Sequence, residues 1–440
     1  MAKRFFVACF LFSATAFAAE RHIVRFNGAV PKSFANAVTA AGGTLEWSHS
    51  AAGLASVSGL TDDAANGLAG TNGADAVADV DVTVRPGPST DQLDGDGNTD
   101  TTTESASDPT LAMFYSLQWN LHVIGANAAW AAGRHGSPDV TVAVIDSGID
   151  YTHVDLAGRV DLSRSVSFIP SDDAIVASMF PGHHPVTDLY FHGTHVASTI
   201  TSNAVLAAGV TSNVTLIGVK VIDRNGNGSL ANVLAGVLWA ADHGADVANM
   251  SLGGAIQRPH NGRLIAAVQQ AMNYAYRKGT LLVVAAGNES ADLDHDGATL
   301  KLFCDGSNVV CVSATGPTAG GIFGPWTDID AFAWFSNYGR SAIDVAAPGG
   351  NRLTVIIGAC AKTALVGGCP TDWLIAIQGT SMAAPHASGL AALIVEDVGH
   401  GNPAKVKARL LQGADDLGAP GTDPQYGKGR INVPRSLGLQ

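Results

Sequence analysis

Charge is scarce in this sequence. Asp, Glu, Lys and Arg make up only 14% of its 440 residues, and the formal net charge is −13. No basic cluster breaks that acidic balance, which argues against a nucleic-acid partner. Beyond the N-terminus no apolar run reaches the roughly 18 residues that a membrane-spanning helix needs. Cysteine is rare as well, with 5 residues and no C-x-x-C pair of the kind that holds zinc. No internal repeat is visible. Apolar residues, by contrast, reach 46%, and glycine 51 residues, which suits a large core joined by tight turns.

The first residues have the order of a secretory signal. Lys3 and Arg4 are followed by the apolar run Phe5 to Phe12 and by Ala16-Phe-Ala18. Residues 1–19 are therefore assigned to a signal peptide, and a secreted protein is expected, free of the membrane once the signal is removed. Cys9 leaves with that signal. Cys304, Cys311, Cys360 and Cys369 remain, and four cysteines allow three connectivities. The local pairs Cys304–Cys311 and Cys360–Cys369 are expected, because each brackets a short loop and exported proteins meet an oxidising compartment.

Residues 20–87 read as a small unit of their own. Strand-like segments at 22–26, 44–49, 54–57 and 76–84 alternate with helical ones at 31–41 and 61–68. This is the β-α-β-β-α-β order of a ferredoxin-like fold. Residues 88–111 are rich in Pro, Gly, Asp, Ser and Thr and read as a flexible linker open to proteolysis. From residue 112 to 440, near-continuous apolar runs (140–145, 214–222, 247–252, 281–286, 309–314) alternate with helical stretches such as 230–243 and 264–278. Such runs suit strands buried on both faces, so the expected fold class is α/β, a parallel sheet flanked by helices on both faces.

Three segments of this larger unit carry chemistry. Val142-Ala-Val-Ile-Asp-Ser-Gly-Ile149 ends a buried run in Asp146. His192-Gly-Thr-His-Val-Ala197 places His192 at a Gly turn into a helix. Gly379-Thr-Ser-Met-Ala-Ala-Pro-His386 places Ser381 at the entry of a small-residue helix. Together they supply the hydroxyl, imidazole and carboxylate that nucleophilic acyl transfer requires, in the chain order Asp, His, Ser. That order excludes the α/β-hydrolase and chymotrypsin arrangements. Asp150 and His195 are the competing carboxylate and imidazole. Asp146 is preferred over Asp150 because its apolar run would bury it.

These segments resemble the Asp, His and Ser boxes of the subtilisin-like serine proteases, the subtilases. Asn249-Met-Ser-Leu-Gly-Gly254 resembles the family's substrate-binding strand. Ala285-Ala-Gly-Asn-Glu289 resembles the segment with its oxyanion asparagine, and Tyr426-Gly-Lys-Gly-Arg-Ile-Asn432 its C-terminus. The resemblance covers roughly residues 113–440. It implies a secreted serine endopeptidase in which Ser381 attacks, His192 (the first histidine of its box) is the base, Asp146 orients His192, and Asn288 donates to the oxyanion. It implies polypeptide substrates held by Ser251, Leu252 and Gly253 on one side and by Gly228 and Leu230 at the other rim. Ala285, Ala286 and Gly287 are expected to wall the pocket for the residue before the cut. Residues 20–87 resemble the inhibitory propeptide of a self-processing zymogen, with the maturation site in 88–111.

The implied enzyme is a monomer without an organic cofactor, inhibited by its own propeptide. Calcium is the one metal expected. Asp292, Asp294 and Asp296 alternate before Gly297 like the first half of a calcium loop, although Phe303 stands where a twelfth-position Glu would complete it. Asp155 matches a position that binds calcium in many subtilases, but the loop near 203–209 is short for the partner side. Two rivals stand beside this reading: a catalytically silent binding protein of the same fold, and a processing protease dedicated to one substrate.

Overall fold

The computed structural model describes residues 21–84, 90–93, 108–253, 255–257, 261–295, 299–301, 303–306, 308–366, 369 and 374–439. The chain divides into two compact units, Met1–Asp79 and Val80–Gln440.

In the first unit, helices Phe34–Ala40 and Asp62–Thr71 alternate with four strands. The strand order is Thr44–His49, Leu54–Ser58, Arg21–Phe26, Ala74–Ala78, and every neighbouring pair is antiparallel. This is the ferredoxin-like arrangement. Val24, Phe26, Phe34, Val38 and Val57 form the core, with the rings of Phe26 and Phe34 edge to face at 5.0 Å. Thr61 starts the second helix by accepting the Ala64 N–H, and Asp62 and Asp63 sit in its positive first turn.

The single strand expected over 76–84 is two strands. Ala74–Ala78 closes the first sheet, while Asp81–Thr83 belongs to the second unit and pairs with Asn227–Ser229. The physical reason is burial of Val82 and Val84, which have found a second partner.

The second unit is built on a seven-stranded sheet in the order Val345–Pro348, Val309–Thr315, Leu281–Ala285, Val247–Met250, Thr141–Asp146, Thr215–Lys220, Val166–Ser167. Every neighbouring pair is parallel, and helices flank the sheet. The helix Thr380–Val398 is buried from Thr380 to Val395 and packs on five of these strands as well as on the helix His192–Ile200. Alanines at 383, 384, 387 and 391 let it approach closely. Gly279 ends the helix Gly262–Lys278 in a left-handed conformation, φ 100°.

Within the expected linker, Thr90–Leu93 is a strand antiparallel to Leu374–Ile377, and Pro109–Leu111 is a short 3₁₀ turn. The remainder of 88–107 lies outside the described residues, as do residues 1–19, the expected signal peptide. Both local disulfides are present, Cys304–Cys311 and Cys360–Cys369, with Cα separations of 5.1 and 5.9 Å. Among the described residues no helix is long and apolar enough to cross a membrane.

Candidate active site

Asp146 is the last residue of its strand and His192 the first of its helix. The carboxyl ends of parallel strands are where such sheets hold their ligands. His192 Nδ1 lies 2.8 Å from Asp146 Oδ1, and both side chains are fully buried. The Ser147 N–H donates to the same oxygen at 2.7 Å. An ionised carboxylate only accepts, so the ring proton sits on Nδ1 and the lone pair on Nε2. That Nε2 is buried and has no hydrogen-bond partner among the described residues. The competing residues are engaged elsewhere. Asp150 accepts from Thr152 and from the Lys362 N–H. His195 bonds the Ile356 carbonyl through Nε2, and burial drives its pKa down to about 3.

Ser381 is the second residue of its helix and is 5% exposed. Its hydroxyl donates to the Ser251 carbonyl at 3.1 Å, so the serine–imidazole bond is not made in this structure. Asn288 Oδ1 accepts both the N–H and the hydroxyl of Thr380, each at 2.9 Å. A backbone N–H needs an acceptor, so the oxygen end of the amide must face Thr380. The NH₂ end is thereby turned away. The Thr380 hydroxyl in turn accepts the Gly287 N–H at 3.0 Å. Gly287 has φ 101°, and a Cβ there would meet Asn337 Nδ2 at 2.4 Å.

A second buried carboxylate, Asp188, supports the histidine. Its Oδ1 accepts the N–H groups of Tyr190 and Phe191 and the Ser147 hydroxyl; its Oδ2 accepts the N–H and hydroxyl of Thr194. The Ser147 oxygen also receives the Gly193 N–H at 2.9 Å. Burial pushes the Asp188 carboxyl up while these donors pull it down. Asp188 thus satisfies a helix N-terminus whose N-cap, Phe191, supplies no side-chain bond. Phe191 itself has φ 122°, a costly geometry for an aromatic residue, held immediately before His192.

An extended segment runs beside these residues. Thr83 exchanges both backbone bonds with Gly253, at 3.2 and 3.3 Å. On its other side the strand Asp81–Thr83 pairs with Asn227–Ser229, the Val84 N–H reaches the Gly226 carbonyl and the Leu230 N–H the Val80 carbonyl. Gly253, Gly228 and Leu230, expected to grip a peptide, therefore grip residues 80–84 of this chain. Ser251 and Leu252 continue from the strand Val247–Met250, and Ala286 and Gly287 from its neighbour Leu281–Ala285, so the two expected pocket walls lie side by side.

The expected calcium residues are used otherwise. Asp292 accepts from the Asp294 and His295 N–H groups and pairs with His295 Nδ1. Asp294 accepts from Arg340 N, Ser341 N and the Ser341 hydroxyl. Asp296 lies outside the described residues. Asp155 receives the N–H groups of Val205, Leu206 and Ala207 at 2.9, 2.9 and 3.1 Å, so the short loop itself occupies both carboxylate oxygens. Among the described residues no group of His, Cys, Asp and Glu is arranged to hold a metal.

The sequence pattern of the Subtilase family matches residues 137–429. The chain belongs to the subtilase family. It is 34% identical over 307 residues to the thermophilic serine proteinase of Bacillus sp. strain AK1, covering 69% of this chain and 63% of that protein. With the subtilisin of Bacillus pumilus it shares 35% over 320 residues, 72% of this chain and 98% of that one. Its fold is also that of the solved epidermin leader peptide processing serine protease of Staphylococcus aureus, with TM-score 0.73, 22% identity and coverage of 96% and 99%. This subtilase is a serine endopeptidase with a subtilisin-like α/β fold.

Sequence reasoning missed Asp188, Ser147 and Thr380. Ser147 and Thr380 adjoin Asp146 and Ser381 in the sequence, which was the available signal. Asp188 had none beyond lying four residues before His192.

Proposed function

We propose that this subtilase hydrolyses polypeptides through an Asp146–His192–Ser381 triad and is made as an exported, self-processing zymogen. The observation that carries this reading is the buried Asp146–His192 bond at 2.8 Å, with the Nε2 lone pair left unused. In the proposed reaction the Ser381 hydroxyl leaves the Ser251 carbonyl and gives its proton to Nε2 as Oγ attacks the scissile carbonyl. Asp146 stabilises the imidazolium that forms. The Asn288 amide and the Ser381 N–H receive the oxyanion. His192 then protonates the leaving amine, and water hydrolyses the acyl-enzyme. No organic cofactor enters, and one chain suffices.

Substrates would add as a strand, using the backbone groups of Gly253, Gly226 and Leu230. That residues 80–84 use those same groups supports self-inhibition: residues 20–87 act as the propeptide, released by a cut within 88–111. The competing proposal of a protease dedicated to one substrate draws on the fold shared with a leader-peptide processing enzyme. Comparable rates across a panel of unrelated peptides would remove it.

The test compares the precursor with its Ser381→Ala form by intact mass after export. Loss of residues up to the 88–111 region in the wild type alone is the expected result. Equal cutting of both forms, or of neither, contradicts self-maturation.

A further inference from the structure

The helix that carries Ser381 contains a proline at Pro385. In a regular helix the N–H of residue 385 would bond the carbonyl of Ser381, and proline has no N–H. The carbonyl is nevertheless paired. The Ser251 hydroxyl donates to it at 2.7 Å. Ser251 Oγ in turn accepts Asn249 Nδ2–H at 2.9 Å, and Asn249 Oδ1 accepts the Ser388 hydroxyl at 2.8 Å. Ser388 lies two turns along the same helix, on the face that carries Ser381. The chain of bonds therefore leaves the helix at Ser388, crosses the end of the strand Val247–Met250, and returns at Ser381. Asn249, Ser251 and Ser388 are all fully buried.

We propose that Ser251, beyond offering its backbone to substrate, is a positioning residue for the nucleophile: its hydroxyl replaces the amide hydrogen that Pro385 lacks and fixes the first turn of the helix. The proposal rests on Ser381 being the nucleophile. The pinned carbonyl belongs to Ser381 itself, so its position sets where Oγ and the Ser381 N–H stand relative to His192 and the oxyanion. Without the donor a buried carbonyl would be left unpaired beside a kinked turn. Reactivity should suffer while the binding of peptide backbone does not.

The test is a double-mutant cycle of Ser251→Ala and Pro385→Ala. Each protein is produced from the full chain, its active fraction titrated with a serine-directed inhibitor, and its kcat and KM measured on a peptide anilide. Ser251→Ala alone should lower kcat about tenfold, the effect of one lost hydrogen bond, with KM little changed. In the Pro385→Ala background residue 385 regains an N–H for the Ser381 carbonyl, so the same substitution should cost less than about threefold. Equal losses in both backgrounds, or a change confined to KM, overturn the proposal. Ser388→Ala provides a check that leaves the proline in place. It should lower kcat without raising KM, and no change in kcat counts against the proposal. Ser381→Ala must be inactive throughout; if it still hydrolyses peptide, the nucleophile assignment fails, whatever the cycle shows.

Discussion

His192 Nδ1 and Asp146 Oδ1 are 2.8 Å apart, and neither side chain reaches solvent. In such a site the carboxylate selects one imidazole tautomer, because the alternative would face it with a second lone pair. Asp146→Asn offers an amide N–H in place of an acceptor and favours the wrong tautomer. We expect kcat to fall about 10⁴-fold with the fold intact. Steady-state kinetics with circular dichroism decides the matter; a loss below about tenfold would mean that Asp146 does not orient His192.

Asn288 is tested by separating its two ends. Asn288→Asp keeps acceptors for the Thr380 N–H and hydroxyl but has no N–H for an oxyanion. It should lower kcat by about 10²–10³ with KM nearly constant. An Asp variant with wild-type kcat would remove Asn288 from the oxyanion site.

Asp155, at a position that binds calcium in many subtilases, here holds the short loop together. Its replacement by alanine leaves the N–H groups of Val205, Leu206 and Ala207 without their acceptor in a buried turn. A loss of about 3 kcal/mol or more is predicted. Guanidinium unfolding in the Ser381→Ala background, which prevents self-digestion, would show it. A shift under about 1 kcal/mol would show that water or relaxation satisfies the loop instead.

Stability should fall in mild acid because of buried neutral histidines. Burial depresses His386 to about 4, and its ring is held by the Met382 carbonyl and Asn120. An unfolded chain takes up this proton near pH 6.5, the native one only near 4. The contribution is therefore full above about pH 6.5 and is lost as pH falls through the window down to about 4. His386→Gln should flatten the pH dependence of the unfolding midpoint across that window by about one proton. An unchanged slope would be inconsistent with a neutral native His386.

The groups proposed to react stand out in the sequence because local context carries them. An apolar run ending in Asp146, a Gly turn after His192 and a small-residue helix at Ser381 each announce their backbone setting. What pairing does at a distance was not legible. Val82 and Val84 read as the end of one strand, and only the partner at Asn227–Ser229 breaks it at residue 79. Asp292 and Asp294 look like cation ligands by spacing, and Asp155 matches a family calcium position by resemblance alone. Which backbone N–H groups fold onto them depends on Arg340, Ser341 and Val205 to Ala207. Asp188 carries no motif, since its donors are gathered from Ser147, Tyr190, Phe191 and Thr194 only once the chain has folded.

Covalent labelling is the most direct measurement of the central assignment. The matured protein is treated with a fluorophosphonate and mapped by peptide mass. The account predicts one adduct, on Ser381, with loss of activity in proportion to labelling, and far slower labelling in His192→Ala. An adduct on another residue, no adduct at all, or equally fast labelling without His192 would contradict it.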